Sequence, residues 1–469
     1  MSNTKLIHDY TTGSIPKQLA RFMLPFMASN ALQVVYSLVD MVIVGRFVGS
    51  AGLSGVSQGS MIVIFFSLFC MGFSTSGQIM IAQFIGADRK DQLNPLIGTL
   101  FSVMAILGVL VTVIALAIRL PLMRWMSVPP EAWDMSGIYV IICGGGLIFT
   151  VGFNAVSSIL RGMGDSRHPF IYVTLSSVLN LILDLILTGW LGLGVAGAAA
   201  ATIFSQAVSF AATMVFLVRH KAEFHFDFRL RSFRIRGDML GQMVRLGTPM
   251  AIQMVAINIS MMICHGFINS LGVVPSATFG VGMKVDDIAA KLSHGIQYAA
   301  APMVGQNFGA SKQRRVRQVV YWTWIMSGTV YLLFTIVYLC LNRQIFSLFT
   351  NDAAVIDLAP VFVHAIIWSF PGMVILRGIS SFLQGIANSS LLMLFAFIDA
   401  GARVLFGWLF GIVLSAGFFG FVLGFGIACY GVAIPGTLYY LFAKWEKNKS
   451  MAQLAVDPAD AAAERKDAP

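Results

Sequence analysis

The chain is built from two copies of one half-length unit. The segment IAQFIGA at 81–87 returns as VGQNFGA at 304–310, and SSILRGMGDS at 157–166 returns as SSFLQGIANS at 380–389. Both pairs are 223 residues apart. Because solenoid and propeller repeats have periods of roughly 20–50 residues, the repeating unit here is a whole half-protein. The sequence therefore predicts two lobes of the same fold.

The composition of both halves is typical of a membrane protein. Hydrophobic residues make up 57% of the chain and charged residues 11%. The stretch 96–118 carries no charge over 23 residues, which is enough for a helix to cross a hydrocarbon core of about 30 Å. No cleavage-site pattern follows the first apolar run, so we expect that run to remain as a span. The apolar runs predict twelve spans, at about 17–43, 54–82, 94–118, 133–158, 170–188, 195–218, 242–269, 277–304, 318–341, 358–383, 391–414 and 417–443.

The predicted fold class is therefore all-α integral membrane, with twelve transmembrane helices in two six-helix bundles related by pseudo-two-fold symmetry. An even number of spans per half makes the halves parallel repeats with a cleft between them. The tail is charged and rich in alanine, a composition typical of disorder. The predicted domains are an N-terminal lobe at 1–220, a cytoplasmic interlobe loop at 221–241, a C-terminal lobe at 242–445 and a disordered cytoplasmic tail at 446–469.

The distribution of basic residues predicts the orientation in the membrane. With both termini in the cytoplasm, the inner segments hold 21 Lys and Arg residues and the outer segments hold 4. This asymmetry follows the positive-inside rule and predicts a multi-pass protein of the plasma membrane, in bacteria the inner membrane. The net charge of +10 then reflects contact with lipid headgroups, and no nucleic-acid partner is expected. We expect a monomer.

Polar residues of the N-terminal lobe are predicted to converge at one depth. Asp40, Asp184 and Thr202 lie within roughly 7–12 Å of the predicted outer boundary, and Asn180 is one turn before Asp184 on the same helix. Ionisable residues at membrane depth mark ion or substrate pathways. Two neighbouring carboxylates in a low-dielectric site can take up a proton near neutral pH, and the same oxygens can ligate Na⁺. The alternative is that each Asp caps a helix end or accepts from a neighbouring hydroxyl.

The repeat offset shows that the C-terminal lobe lacks these groups. An offset of 223 or, for the first helix, 224 gives the following pairs: Asn154 with Arg377, Asn180 with Arg403, Asp184 with Gly407, Thr202 with Phe425 and Asp40 with Cys264. We therefore expect no cation site there. We expect instead a charge network facing the cleft, made of Lys284, Asp287, Arg377, Asp399 and Arg403. Asp399 and Asp287 are the expected counter-ions of the arginines, and Lys284–Asp287 and Asp287–Lys291 have the spacing of intrahelical pairs.

Several other kinds of site are not indicated. The five cysteines are scattered without CxxC spacing, and the seven histidines show no ligand spacing, so neither a disulfide framework nor a metal site is expected. No GxxxxGK[ST] loop is present, which argues against ATP-driven pumping. No cluster of nucleophile and base lies at membrane depth, so we expect a protein that is not an enzyme and has no cofactor apart from a coupling ion.

Several motifs resemble those of the MATE family, the multidrug and toxic compound extrusion transporters. They are SLVDMVIVGRFVG at 37–49, AQFIGA with GQNFGA, LRGMGDSRHP at 160–169, NLILD at 180–184 and GVAGAAAAT at 194–202. The resemblance covers roughly residues 15–443. It implies a V-shaped pair of six-helix bundles and antiport of organic compounds against H⁺ or Na⁺.

The resemblance also assigns residues. The family's N-terminal-lobe cation site falls on Asp40, Asn180, Asp184 and Thr202, and we expect Tyr36, Asn154 and Pro25 to support it. The predicted seventh helix has no acid and the tenth carries Arg377, so the chain resembles the DinF-type branch, which leans toward proton coupling. The oxygen-rich set of side chains leaves Na⁺ as the alternative coupling ion.

The predicted function is therefore secondary active efflux of small organic compounds such as drugs and dyes, cationic or amphipathic, in exchange for H⁺ or Na⁺. The nearest alternative is a lipid-linked oligosaccharide flippase of the same superfamily, which usually has more spans and a strongly basic cleft. A major-facilitator transporter is disfavoured, because the loop after the second span reads GADRKDQL and lacks a basic Gly-x-x-x-Asp-Arg-type motif. A receptor would not need two carboxylates at matched depth.

Overall fold

The computed structural model describes residues 7–126 and 128–454, and within these ranges every regular element is helical. The N-terminal lobe contains α1 (Ile15–Phe47), α2 (Gly49–Gly86), α3 (Leu93–Ala117), α4 (Arg119–Trp125), α5 (Pro130–Gly145), α6 (Leu147–Gly162), α7 (Arg167–Leu183) and α8 (Gly194–Arg219). The C-terminal lobe contains α9 (Gly237–Asn269), α10 (Val273–Gly309), α11 (Gln313–Ser347), α12 (Ala353–Ile366), α13 (Ser369–Gly385), α14 (Ser389–Trp408), α15 (Gly417–Ile427) and α16 (Tyr430–Phe442). A last short helix, α17 (Met451–Leu454), follows.

The helices account for the predicted number of spans. Among the described residues, nine helices or continuous helical segments are long and apolar enough to cross a membrane. The pairs α5–α6 and α12–α13 are bent by 45° and 49°, and each pair adds one broken span, which makes eleven. The remaining predicted span is α10, which carries charged and amide side chains but is 37 residues long and packs against α1, α2, α11 and α13.

The hydrophobic cores show where the two lobes meet. We call the end of the bundle that holds residues 7 and 454, the two ends of the described chain, the termini side. There, residues 15–26 of α1 pack with residues of the C-terminal lobe, and residues 239–250 of α9 pack with the N-terminal lobe. At the opposite end, each lobe has its own cluster, which includes Cys143 in the first lobe and Cys264 in the second. The lobes are therefore joined at the termini side, and the cleft between them opens at the other end.

The seam between the lobes is symmetric and very close. A methyl group added at Gly86 of α2 would lie 1.9 Å from the carbonyl oxygen of Gln306 on α10, and one at Gly309 would lie 2.1 Å from the carbonyl oxygen of Gln83. Gly86 and Gly309 are repeat equivalents, as are Gln83 and Gln306. The motif pair that reveals the repeat in the sequence is thus the place where the lobes cross. Only a residue without a side chain allows the backbones to approach this closely.

The segment that follows α16 differs from the sequence expectation. The described part of the tail is ordered: Trp445, Met451 and Ala452 are buried, so residues 446–454 do not form the disordered tail we expected. Their apolar side chains are few, and composition alone did not reveal that they have a partner surface on the opposite lobe. Residues 455–469 lie outside the described residues. The interlobe loop also folds back, burying Phe224 and Phe226 against the N-terminal lobe.

Candidate functional site

The polar cluster of the N-terminal lobe is assembled from three helical segments. α1 contributes Tyr36 and Asp40, one turn apart, and α7 contributes Asn180. Asp184 begins a π-helical segment, Asp184–Trp190, that continues α7. The carboxyl groups of Asp40 and Asp184 lie close enough together to interact directly. The structure therefore places the two carboxylates side by side, and their role stays a prediction.

The third contribution comes from α8. The Asn180 side-chain amide donates to the Thr202 hydroxyl at 3.5 Å, and the Tyr36 hydroxyl lies near Thr202. The Thr202 hydroxyl in turn donates to the carbonyl of Ala198 at 3.0 Å. Thr202 is therefore fixed in orientation and ties α1 and α7 to α8. The predicted set of four residues is brought together, and its role in ion coupling stays a prediction.

The cluster is rich in buried oxygens that have no donor. Asp184 is fully buried and Asn180 is 2% exposed, whereas Asp40 is half-buried. Among the described residues, no hydrogen-bond donor satisfies Asp40 Oδ1, Asn180 Oδ1, either oxygen of Asp184, or Thr188 Oγ1. Buried polar atoms are normally paired, and each exception calls for an explanation. A proton shared by the two carboxyl groups, or a small cation held by these oxygens, would satisfy them.

The π-helical segment and a glycine shape the site. π-segments inside helices are rare and concentrate at functional sites. A methyl group at Gly197 of α8 would lie 2.9 Å from the Leu187 carbonyl, so the small residue lets α8 pack directly on the π-segment beside Asp184. The second lobe repeats this backbone arrangement with Gly420 and the π-segment Leu409–Val413. The backbone scaffold is therefore shared by the two halves, whereas the polar side chains of the cluster are found in the first half alone.

Two of the predicted supporting residues lie elsewhere. Pro25 is in the first half of α1, about 20 Å along the helix from Asp40, and it lines a cavity of about 600 Å³ at the termini side. Asn154 on α6 accepts from Ser74 through its backbone carbonyl at 2.9 Å, and none of the contacts described for it reaches the cluster. Tyr36 is the supporting residue that does contact the site.

Sequence reasoning missed three residues of the cluster. Tyr139 and Cys143 on α5 lie close enough to Asp40 to interact with it electrostatically. Thr188 is buried one turn after Asp184. Thr188 follows Asp184 by four residues, a spacing that places two side chains on the same face of a helix. This spacing was the signal in the sequence that could have identified Thr188. Nothing in the sequence linked α5 to the site.

The C-terminal lobe has a different set of charges. Arg403 donates to Asp399 at 2.6 Å, and its guanidinium lies 4.6 Å from the centre of the Phe425 ring. Both charged side chains are almost fully buried. Asp399 is thus the counter-ion of Arg403, as expected. Arg377 donates instead to the Gln297 side chain at 3.2 Å, and it has no ion pair among the described residues.

The expected role of Asp287 is wrong. Asp287 pairs with Lys291 at 2.9 Å, with 54% of its side chain exposed, so it does not neutralise a buried arginine. The predicted Lys284–Asp287 pair is not found in the described part of the chain, and Lys284 is exposed. Asp286, one residue earlier, is less exposed and lies close enough to Arg377 and Arg403 to interact with both electrostatically. Adjacent helical residues point about 100° apart, and the intrahelical spacing alone did not decide which one turns inward.

This fold and its buried polar clusters define an integral membrane transporter built from two repeated lobes. The chain belongs to the MatE family, because the sequence model of that family matches residues 25–186 and again 249–409. The two matches begin 224 residues apart and end 223 apart. The family match therefore reproduces the internal repeat and its one-residue shift.

Several named bacterial proteins are similar to this chain. The chain is 29% identical over 367 residues to the probable multidrug resistance protein YoeA of Bacillus subtilis, covering 76% of this chain and 78% of the relative. It is 25% identical to YpnP of the same organism over 94% of this chain and 98% of the relative. The probable multidrug resistance protein NorM of Thermotoga maritima is 24% identical, with coverage of 92% and 94%.

Solved structures share the fold. An outward-facing multidrug resistance MATE family transporter of the MOP superfamily superposes with a TM-score of 0.88 at 23% identity, covering 96% of this chain and all of that one. A crystal structure of MATE in the bent conformation gives 0.86 at 23% identity, with coverage of 93% and 97%. These likenesses establish the two-lobed twelve-helix architecture predicted from the repeat.

Proposed function

We propose that the chain is a secondary active efflux antiporter that exports organic compounds while H⁺ or Na⁺ enters through the N-terminal lobe. The observation that carries this proposal is the Asp40–Asp184 pair, which has buried, unsatisfied oxygens in one lobe and is replaced by other residues at the repeat-equivalent positions of the other lobe. The names of bacterial relatives, which include probable multidrug resistance proteins, support the export of drugs and dyes. No observation favours the flippase alternative.

The coupling follows from charge. Without an ion, two carboxylates in contact repel each other in a low-dielectric site. A proton or Na⁺ entering from the open end of the cleft removes that repulsion and draws α1 toward α7. α1 also borders the cleft, so this repacking changes the surface that holds the exported compound. An ion shifts the conformational equilibrium only by its differential affinity for the two states, and the contact between Asp40 and Asp184 provides such a difference.

The choice of ion rests on the same oxygens. A proton needs only the two carboxyl groups. Na⁺ would need several oxygens, for which Asn180 Oδ1, Thr188 Oγ1 and Thr202 Oγ1 are the additional candidates. The DinF-like branch assignment favours H⁺. The cationic or amphipathic character of the exported compound is part of the proposal.

The basic residues of the termini side support cytoplasmic termini. Arg89 and Lys90 lie between α2 and α3, and Arg314 and Arg317 lie in the first turns of α11, all on this side, which the positive-inside rule places in the cytoplasm. The open end of the cleft would then face outward. We propose location in the bacterial inner membrane as a monomer.

Reconstituted vesicles test the proposal. Efflux of a cationic dye is measured under an imposed pH gradient and separately under a Na⁺ gradient. The wild-type protein should respond to at least one gradient, and Asp40→Asn should lose at least ten-fold of that response. Asp91→Asn, which changes an exposed carboxylate in a turn, is the matched control and should retain it. Dye efflux under neither gradient would reject the antiporter.

A further inference from the structure

Each terminal segment crosses the seam and attaches to the opposite lobe. The N-terminal strap is residues 7–14, which precede α1. The C-terminal strap is residues 443–454, which follow α16 and end with α17. Both lie at the termini side, over the place where α2 and α10 cross.

The N-terminal strap is bound to both lobes by its backbone. On the first lobe, the His8 amide donates to the Met163 carbonyl at 2.9 Å and the Tyr10 hydroxyl donates to the Gly164 carbonyl at 2.6 Å. On the second lobe, Gln306 accepts from the Tyr10 amide at 2.9 Å and donates to the His8 carbonyl at 3.1 Å. Tyr10 is only 7% exposed, so these bonds are shielded from water.

Basic side chains of the second lobe extend this attachment. Arg315 donates to the backbone carbonyls of Tyr10, Thr12 and Gly13, each at 3.0 Å. Lys312 donates to the Thr11 carbonyl at 2.9 Å. A segment that covalently precedes α1 of the first lobe is therefore held mainly by the second.

The C-terminal strap makes the reciprocal connection. Gln83 of the first lobe accepts from the Met451 amide at 2.7 Å and donates to the Gly385 carbonyl of the second lobe at 2.7 Å. Met451 and Ala452 are buried in the core of the first lobe. The other end of this strap is fixed to the second lobe by Glu446, which accepts from Arg317 at 2.8 Å.

Gln83 and Gln306 are repeat equivalents, 223 residues apart, and both are fully buried. Each uses its side-chain carbonyl to accept from a strap amide and its side-chain NH₂ to donate to a carbonyl. Glutamine is suited to this position because one amide group both accepts and donates, whereas an ionised glutamate can only accept. The same arrangement at two equivalent positions indicates a shared role.

We propose that Gln83 and Gln306 are the positioning residues of a gate at the termini side, in which the two straps hold the lobes together across the seam. The inference rests on the proposed function, because a transporter of this kind has to open this face to reload. Opening moves Gln306 away from Met163 and Gly164, so the N-terminal strap has to leave one lobe. The straps thus set the equilibrium between the state that is open at the termini side and the state that is open at the opposite end of the cleft.

Distances between spin labels test the gate without relying on transport. In a background with the five cysteines replaced by alanine, one label pair is placed at Asp91 and Arg314, exposed repeat-equivalent positions on the termini side. A second pair at Leu191 and Leu414, which are 54% and 59% exposed, reports on the other end of the cleft. In the variant with Gln83→Met and Gln306→Met, the population with a long 91–314 distance should increase at least five-fold, and the 191–414 distance should shorten in the same molecules.

A milder variant tests the gate even if the double glutamine variant does not fold. Tyr10→Phe removes only the hydrogen bond from the hydroxyl to the Gly164 carbonyl. It should increase the population with a long 91–314 distance by roughly five-fold, since one hydrogen bond is worth about 1 kcal/mol. Tyr321→Phe, at a residue that is 56% exposed, should change nothing.

Unchanged 91–314 distances in both folded variants would overturn the gate while leaving the antiporter intact. Loss of gradient dependence in wild-type vesicles would overturn the antiporter alone. The two proposals therefore fail separately.

Discussion

Single residues determine whether the buried carboxylates of each lobe have a basic partner. In the first lobe, Asp40 and Asp184 lie beside each other, and neither has a basic partner in the part of the chain that the structure describes. In the second lobe, the buried Asp399 has Arg403 as its partner. An unpaired buried carboxylate is costly unless it takes up a cation, so the first arrangement is suited to binding an ion and the second to holding a fixed charge.

Removing one partner of the Asp399–Arg403 pair should be strongly destabilising. Arg403→Met leaves Asp399 buried without a counter-ion and should cost about 3–5 kcal/mol, measured by thermal or denaturant unfolding in detergent. The double variant Arg403→Met with Asp399→Leu should recover most of the lost stability, because neither charge of the pair remains. A double variant as unstable as the single one would contradict this account.

His8 gives the N-terminal strap a predictable response to pH. Burial lowers the pKa of His8, opposed by Asp165 and reinforced by Arg21 and His168. The docked strap therefore favours neutral His8, so docking is fully stable above the ordinary pKa of about 6.5 and weakens as the pH falls below it. Hydrogen exchange of the Tyr10 amide, corrected for its intrinsic rate, should show less protection at pH 5 than at pH 7.5. His8→Gln should abolish this difference, and its persistence there would implicate another group.

At the scale of elements, the contact between α8 and the π-segment positions the cluster. Gly197 touches the backbone of Leu187 and Thr188, and Thr202 lies between one and two turns further along α8. The approach of α8 therefore sets the distance from Thr202 to Asn180. A longer separation would remove α8 from the cluster.

Adding a methyl group at this contact should separate the two elements. Gly197→Ala should lower the melting temperature and reduce gradient-driven efflux more than ten-fold, because the added atom meets backbone that cannot rotate away. Gly241→Ala is the matched control: it lies in α9 with no atom within 4 Å, and the higher helix propensity of Ala should leave the protein equally stable or slightly more so. Equal effects of the two substitutions would reject a packing role for Gly197.

At the scale of the whole molecule, the repeat made the architecture predictable. A fixed offset in the sequence requires two like lobes, and the hydropathy pattern made them membrane bundles. The meeting of Asp40 with Asp184 was also predictable, because depth in a membrane can be estimated by counting residues along each helix. The sequence thus contained both the scaffold and the four predicted residues of the cluster.

The straps and the inward turn of Asp286 were not predictable in the same way. Strap attachment depends on single hydrogen bonds from Gln83 and Gln306 to backbone atoms, which leave no periodic signal. Asp286 and Asp287 are adjacent residues of the same type, and only tertiary packing decides which one lies nearer the arginines. Features that rest on one contact between distant segments required the three-dimensional structure.

The central claim is that the first lobe alone couples transport to an ion. The most direct test compares dye efflux driven by a pH gradient in vesicles containing Asp184→Asn or Asp287→Asn, which are buried N-lobe and exposed C-lobe carboxylates respectively. If H⁺ is the coupling ion, Asp184→Asn should lose at least ten-fold of the gradient-driven rate while Asp287→Asn retains at least half of it; for Na⁺ coupling the same result is expected under a Na⁺ gradient. Efflux by Asp184→Asn that still follows both gradients at the wild-type rate would contradict the account.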